Sequence, residues 1–264
     1  MKNKVVVITG ASKGIGAELA RQLAAKGARL VLAARGAQEL EEVAQQCRER
    51  GASVITVKAD VSAERDCHAI MSGAALAYGG IDVLVNNAGM TMWARFEEVE
   101  DLSILERIMQ VNYMGAVYCT RHALPWLRAS SGVLVGISSL AGRTGVPTRT
   151  GYSASKHAMA GFFDSLRIEL ADSRVAVTMI YPGFVSTGIR ENATGPDGKP
   201  ILVSPVKEGE VMGVDECARI IVDAFGRRRR EVVMTARGKI GLWLKLVAPS
   251  LIDRIARRAI ERGR

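Results

Sequence analysis

The chain has 264 residues, 48% of them hydrophobic, and a formal net charge of +9. This length and apolar content allow one full core, so we expect a single domain over residues 1–264. The basic charge would suggest a nucleic-acid-binding protein, but residues 226–264 contain twelve basic and three acidic residues. This tail carries the whole excess, the rest of the chain is neutral, and no nucleic-acid partner is expected.

The sequence gives no sign of a targeting or membrane-spanning segment. The apolar run at 5–8 is too short for a signal peptide, and no stretch reaches the roughly 18 to 20 apolar residues of a spanning helix. The four cysteines are widely spaced, which predicts buried thiols in a reducing compartment. We therefore expect a cytoplasmic protein.

Strands and helices alternate along the first 182 residues. Short apolar runs rich in β-branched residues predict buried parallel strands at 5–9, 30–33, 54–57, 81–85, 133–137 and 175–180. Helical periodicity lies between them, near 15–27, 37–50, 63–79, 102–129 and 152–172. This alternation predicts a doubly wound α/β sheet that forms a cofactor-binding core over residues 1–182.

The regular pattern breaks at residues 183–213. Glycine and proline recur there with little periodicity, and long irregular segments of compact domains are commonly lids. We expect a mobile substrate lid. A short helix near 215–225, a strand near 231–234 and the basic tail at 226–264 complete the chain.

The turn after the first strand is rich in glycine and reads TGASKGIG over residues 9–16. A glycine turn between a strand and a helix brings backbone N–H groups and the helix N-terminus to a pyrophosphate. The alternative is an ordinary tight connection. The residues expected to line a dinucleotide site here are Gly10, Ser12, Lys13, Gly14, Ile15 and Gly16.

The end of the second strand indicates which nicotinamide cofactor binds. An NAD site usually has Asp or Glu there to bind the ribose 2′-hydroxyl, whereas this chain has Arg35. A guanidinium binds a 2′-phosphate well, with Lys13 and Ser12 nearby. We therefore predict NADP(H), the alternative being that Arg35 and Lys13 are ordinary surface cations.

Four polar residues form a candidate catalytic set. Tyr152 and Lys156 lie four apart on a predicted helix, so both project from one face, and a neighbouring cation would make a tyrosine a better acid at neutral pH. Ser139 follows the fifth strand, where open sheets place ligands, and would bind the substrate oxygen together with Tyr152. Asn112, on the preceding helix, would hold a water that relays protons to Lys156. Taken singly, these residues also suit a surface pair and a turn.

These motifs together resemble the short-chain dehydrogenase/reductase family. The match covers 4 to about 187 and rests on TGxxxGxG at 9–16, NNAG at 86–89, Asn112, Ser139, YSASK at 152–156 and Pro182-Gly183. The resemblance implies a Rossmann-type single domain with a seven-stranded parallel sheet and helices on both faces.

The resemblance also implies roles at matched positions. Tyr152 would be the proton donor and a cofactor contact, Lys156 its partner and a ribose ligand, Ser139 the carbonyl orienter and Asn112 the relay residue. The further cofactor contacts that it implies are Asp60 and Val61 at the adenine, Asn87, Ala88 and Gly89 at the ribose, and Pro182, Gly183, Val185 and Thr187 near the carboxamide. Gly136 departs from the family, where Asn is frequent, and predicts looser support behind the strand.

The substrate is predicted to be an apolar ketone, aldehyde or alcohol. Few charged residues are expected near the nicotinamide, and the apolar candidates are Met90, Met92, Trp93, Leu140, Val146, Phe184, Ile189 and Leu202, which would alternatively be core or lid packing. No metal site is suggested.

The tail predicts a basic amphipathic helix. Its pattern combines Arg227–Arg230, the apolar run 241–247, Leu251, Ile255 and Ala259, and the bases Arg254, Arg257, Arg258 and Arg262. Such a helix suits anionic membrane surfaces, here the inner one, or packs on its own domain or a sister subunit. The tail resembles that of family members acting on steroids, retinoids or other lipids.

Other functions remain open from the sequence alone. The main alternative is a non-catalytic NADP(H)-binding sensor or scaffold, against which the complete set Asn112, Ser139, Tyr152 and Lys156 argues. A module led by the basic tail is less consistent with the neutral body. Family analogy predicts a homodimer or homotetramer through the helices at 102–129 and 152–172.

Overall fold

The computed structural model describes residues 1–189, 192–202 and 211–262, with side chains up to residue 258. The strands are β1 (Val5–Thr9), β2 (Arg29–Ala34), β3 (Val54–Lys58), β4 (Val83–Asn86), β5 (Val133–Ile137), β6 (Ala176–Tyr181) and β7 (Glu231–Val233). Within the described residues they form one seven-stranded parallel sheet in the order β3-β2-β1-β4-β5-β6-β7. The predicted single-sheet α/β fold is confirmed.

Helices follow most strands. They are α1 (Gly14–Ala24), α2 (Ala37–Glu49), α3 (Glu64–Tyr78), α4 (Ser103–Met109), α5 (Gly115–Ser130), α6 (Thr150–Glu169), α7 (Val214–Gly226), α8 (Ala236–Val247) and α9 (Pro249–Arg262). The segment predicted as helical over 102–129 is helical in the structure, with a π-helical turn at Gln110–Met114 between α4 and α5. Such turns often mark functional sites, and this one contains Asn112.

Two apolar layers cover the sheet. On one face the strands pack against α1, α2 and α7, with Leu23, Leu40 and Phe225 buried between them. On the other face they pack against α3, α5 and α6, with Met71 and Phe163 in the core. The strand order reverses between β1 and β4, and parallel sheets bind ligands beyond the carboxyl ends of their strands at such a point.

The four cysteines are buried free thiols, as predicted. The expectation of loose support behind Gly136 was wrong. A Cβ at Gly136 would lie 2.6 Å from the Met179 sulfur and 3.0 Å from the Phe163 ring. These two side chains fill the space that a larger residue would occupy.

The tail consists of two helices, α8 and α9, where one amphipathic helix was expected. Lys245 of α8 donates a 2.8 Å hydrogen bond to the Arg143 carbonyl, which attaches the tail near the carboxyl edge of the sheet. None of the described helices is long and apolar enough to span a bilayer. Residues 190, 191 and 203–210 of the predicted lid and the side chains of Ala259 and Arg262 lie outside the described residues.

Candidate active site

The glycine turn between β1 and α1 depends on close backbone approaches. Gly10 has φ +65°, and a Cβ there would lie 2.8 Å from the Ala88 Cα; a Cβ at Gly16 would lie 2.3 Å from the Gly10 carbonyl oxygen. The Asn87 amide donates to the Thr9 and Gly10 carbonyls at 2.9 and 3.1 Å. Asn87 therefore supports the turn from behind.

A cavity of about 540 Å³ begins at this turn and crosses the carboxyl edge of the sheet. The predicted residues that line it are Gly10, Ser12, Lys13, Gly14, Ile15, Arg35, Asp60, Val61, Asn87, Ala88, Gly89, Ser139, Tyr152, Lys156, Pro182, Gly183, Val185 and Thr187. Gly16 and Asn112 are absent from the lining and lie buried behind it. The cavity has the size of a small-molecule site, and its glycine cradle, cationic end and polar end fit a dinucleotide.

The cationic end contains an acidic residue that the sequence analysis missed. Lys13 Nζ lies 3.1 Å from Glu39 Oε1, and Glu39 lines the cavity together with the exposed Arg35. The hydrogen bond from Lys13 holds the pKa of Glu39 below its usual value. A carboxylate in the first turn of α2 is the available signal, but the turn geometry decides which cation it meets.

Tyr152 lies in α6 with 8% of its surface exposed, on the wall of the cavity. Burial raises the pKa of Tyr152, because the charged form loses hydration, whereas the charge of Arg149 and the nearby hydroxyl of Ser139 oppose that increase. Ser139 follows β5 and also accepts a 3.2 Å hydrogen bond from the Ala141 N–H. Ser139 and Tyr152 thus present adjacent hydroxyls to the cavity.

Lys156 lies one turn further along α6. Its Nζ donates a 2.8 Å hydrogen bond to the Ile137 carbonyl and lies 5.9 Å from the centre of the Tyr152 ring. Burial lowers the pKa of Lys156 to about 8. Because its pKa is near neutrality, this lysine can hold or release a proton under physiological conditions.

Asn112 uses its side-chain amide to hold a loop. Its Oδ1 accepts from the Met90 N–H at 2.8 Å, and its Nδ2 donates to the Met90 carbonyl and to Ser155 Oγ, both at 2.9 Å. A Cβ at Gly89 would lie 3.2 Å from Asn112 Oδ1 and 3.5 Å from Lys156 Nζ. Asn112 and Lys156 therefore border one small space beside a glycine.

Arg149 is a charged residue in the cavity wall that the sequence analysis did not single out. Its guanidinium carbon lies 4.6 Å from the centre of the Trp93 ring, 5.5 Å from that of Tyr152 and 5.4 Å from that of Phe184. Its place three residues before Tyr152, next to the start of the predicted helix, was the available signal. Its two aromatic partners outside α6 come from distant loops, which spacing does not reveal.

The predicted apolar wall is only partly found at the cavity. Met90, Phe184 and Ile189 line it. Met92 and Trp93 are buried, Leu202 is 75% exposed and Leu140 contacts α8 at Gly238. The described residues contain no group of three potential metal ligands.

Comparisons with known proteins agree with this geometry. A family model described as short chain dehydrogenase matches residues 4–197. The chain is 40% identical over 260 residues to 11-beta-hydroxysteroid dehydrogenase 1A of Arabidopsis thaliana, covering 95% of this chain and 73% of that protein.

Solved structures have the same fold. A short chain dehydrogenase/reductase from Burkholderia phymatum in complex with NAD superimposes with a TM-score of 0.84 at 26% identity, covering 95% of each chain. An alcohol dehydrogenase from Thermococcus sibiricus complexed with 5-hydroxy-NADP gives 0.75 at 27% identity, covering 88% of this chain and 95% of that one. The chain belongs to the short chain dehydrogenase family and is an oxidoreductase that acts on CH–OH donors with a nicotinamide cofactor.

Proposed function

We propose that this oxidoreductase uses NADP(H) to reduce a ketone or aldehyde on an apolar small molecule, or to oxidise the alcohol, with Tyr152 as the general acid/base. The observation that carries the proposal is that Ser139 and Tyr152 line the same cavity wall, with Lys156 one turn away on α6. When bound, the reduced nicotinamide supplies the hydride that the carbonyl carbon accepts.

In reduction, Ser139 donates a hydrogen bond that orients the carbonyl oxygen, and Tyr152 Oη transfers its proton to that oxygen. The carbon gains a hydride and the oxygen a proton, which yields the alcohol. Lys156 stabilises the resulting tyrosinate, because a cation about 6 Å away in a poorly hydrated site interacts strongly with it. In oxidation the same groups act in reverse.

A proton must then return to Tyr152. Lys156 has a pKa of about 8, so it exchanges protons readily at neutral pH. The space beside Gly89, bordered by Lys156 and Asn112, is where a relay water would sit. In this proposal Asn112 borders the site of the relay water, and its amide also holds the Met90 loop.

The preference for NADP(H) follows from charge. Arg35 and Lys13 stand at the end of the cavity that receives the adenosine ribose, and Ser12 adds a hydroxyl. A 2′-phosphate offers a better ligand to these cations than Glu39 does, because it carries more charge and three acceptor oxygens. Asp60 and Val61 line the adenine side, and Val185 and Thr187 the nicotinamide side.

Apolar walls near Tyr152 support an apolar substrate. Met90, Phe184 and Ile189 line the cavity, and Phe184 and Ile189 belong to the segment predicted as a lid. The relatives named 11-beta-hydroxysteroid dehydrogenase make steroids a reasonable first test.

The assay follows nicotinamide absorbance with NADPH or NADH and a panel of steroids, apolar ketones and aldehydes, beside matched anionic carbonyl compounds. NADPH turnover restricted to apolar compounds supports the proposal; preference for NADH or for the anionic compounds opposes it.

A second property, peripheral membrane contact, is favoured by the tail. Ile240, Trp243, Leu246 and Val247 of α8 are at least 60% exposed, and Arg254, Arg257 and Arg258 of α9 lie beside them in the chain. Exposed apolar and basic side chains on adjoining helices suit an anionic membrane surface, so the protein would be cytoplasmic with contact at the inner membrane surface.

Vesicle cosedimentation tests this contact. Binding to phosphatidylserine vesicles that Trp243→Ser with Leu246→Ser abolishes would support it. The competing assignment is a subunit interface. Loss of a dimer or tetramer in the same variant, without vesicle binding, would establish that instead and locate assembly outside the helices at 102–129 and 152–172.

A further inference from the structure

Arg149 is a buried cation beside Tyr152. It lies immediately before α6 with 7% of its surface exposed, and its guanidinium carbon lies 5.5 Å from the centre of the Tyr152 ring. Trp93 and Phe184 approach the same guanidinium at 4.6 and 5.4 Å. Because aromatic faces attract cations, and more strongly away from water, these rings hold the positive charge against the tyrosine.

The backbone before Arg149 is strained. Thr148 has φ +67° and is buried, although a β-branched residue rarely adopts this conformation. Its carbonyl accepts a 3.0 Å hydrogen bond from the Ala94 N–H, and the Arg149 N–H donates to the Val146 carbonyl at 3.2 Å. Such strain persists where the surroundings impose it and is concentrated at functional sites. Here it turns the chain so that α6 begins with Arg149 facing the cavity.

The two cations near Tyr152 differ in how they respond to pH. Lys156, whose pKa burial lowers to about 8, loses its charge in mildly alkaline solution, whereas a guanidinium keeps its charge throughout the usable range. The other described elements packed on Tyr152 present apolar side chains, including Ile104 and Ile108 of α4 and Ala141. Above pH 8, therefore, Arg149 keeps its positive charge beside Tyr152 while Lys156 loses its own.

We propose that Arg149 is a positioning residue for the reaction, whose permanent charge stabilises the tyrosinate form of Tyr152 and whose stacking fixes the direction of the ring. The inference rests on the acid/base role proposed above for Tyr152. It explains how a tyrosine that burial alone would keep protonated can act as a base in alcohol oxidation.

The direct test is an absorbance titration of tyrosine ionisation near 295 nm. The signal of Tyr152 is isolated by subtracting the titration of Tyr152→Phe in the same background. Arg149→Gln is expected to move the Tyr152 midpoint upward by about one pH unit or more, and Arg149→Lys to restore at least half of that change. The matched control is Arg143→Gln, which removes a guanidinium that lies 5.0 Å from the Tyr181 ring centre, and it should leave the Tyr152 midpoint unchanged.

Kinetics give a second readout. The pH profile of alcohol oxidation should move to higher pH in Arg149→Gln, with about a tenfold loss at pH 7 that recovers in alkaline solution. A purely structural defect would lower the rate by the same factor at every pH, and that result, or failure of Arg149→Lys to restore the midpoint, would overturn the proposal. Circular dichroism verifies folding. Turnover in Tyr152→Phe would contradict the acid/base role of Tyr152. An unchanged Tyr152 midpoint in Arg149→Gln would contradict only the role proposed for Arg149.

Discussion

Lys13 and Glu39 form an ion pair of 3.1 Å at the end of the cavity that Arg35 also lines. In the proposed complex, Lys13 exchanges this carboxylate for the 2′-phosphate of NADPH. Glu39→Gln should therefore lower the Kd for NADPH by roughly 3- to 10-fold, since it releases Lys13 and removes a like charge. Cofactor fluorescence titration measures this, and NADH provides the control because it has no 2′-phosphate. An equal change for both cofactors would show that Glu39 does not face the phosphate.

Arg35 is expected to determine the choice between the two cofactors. Arg35→Asp should raise the KM for NADPH at least about tenfold, because a carboxylate repels the phosphate, while the KM for NADH falls or stays constant. Steady-state kinetics with both cofactors and one substrate measure the ratio. A parallel loss with NADH would mean that the substitution only damages the turn.

The buried charge of Lys156 should lower the free energy of unfolding of the wild type, although the same residue supports catalysis. The decrease of its pKa from 10.5 to about 8 corresponds to a cost of about 3 kcal/mol for burying the charged form. Lys156→Met should therefore raise the free energy of unfolding at pH 7 by about 1 to 2 kcal/mol, once the lost hydrogen bond to Ile137 is counted, and abolish turnover.

The stability that Lys156→Met gains over the wild type should decrease as the pH rises. Between the folded pKa of about 8 and the unfolded value of 10.5, the unfolded wild type binds a proton that the folded protein does not. The stability of the wild type therefore rises relative to the variant across this window. Denaturant unfolding at pH 7 and pH 10 measures both differences. A variant that is less stable than the wild type at pH 7 would refute the assignment of a buried charge.

Gly136 and Gly73 provide a matched pair for packing. Gly136→Ala should destabilise the fold by about 1 to 3 kcal/mol, because its Cβ would meet Met179 and Phe163 inside van der Waals contact. Gly73→Ala in α3 places its nearest contact at 3.8 Å and should stabilise by about 0.5 to 1 kcal/mol. Thermal unfolding compares the two. Tolerance of Gly136→Ala would indicate that this part of the core is looser than the structure shows.

Periodicity predicted the centre of the sheet well because β1, β4 and β5 are buried along their whole length. Residues 5–9 and 133–137 were placed with the strand bounds that the structure has, since continuous apolar runs leave little choice. The helical segment over 102–129 was predicted too, but the π-helical turn within it was not. This turn contains Asn112, whose side chain hydrogen-bonds to Met90 and Ser155, and both partners are distant in sequence.

The cavity residues that lie together on one element were predictable from the sequence. The contacts between residues from separate loops were not. The glycine turn and the spacing of Tyr152 and Lys156 each lie on one element, so sequence spacing determines their geometry. Arg149 was not predicted as a site residue, because its position at the cavity depends on contacts with Trp93 and Phe184, which only the fold brings together. The pairing of Lys13 with Glu39 depends likewise on how α1 and α2 begin on neighbouring strands.

The proposed mechanism depends on proton transfer by Tyr152. The most direct measurement is single-turnover oxidation of NADPH with a carbonyl substrate that the wild type reduces, repeated with Tyr152→Phe, which keeps the ring and removes only the hydroxyl. We expect the rate to fall by about 100- to 10,000-fold, with the Kd for NADPH within about twofold of the wild-type value because the cavity shape is preserved. Reduction by Tyr152→Phe at a rate close to that of the wild type would contradict it, since another group would then supply the proton.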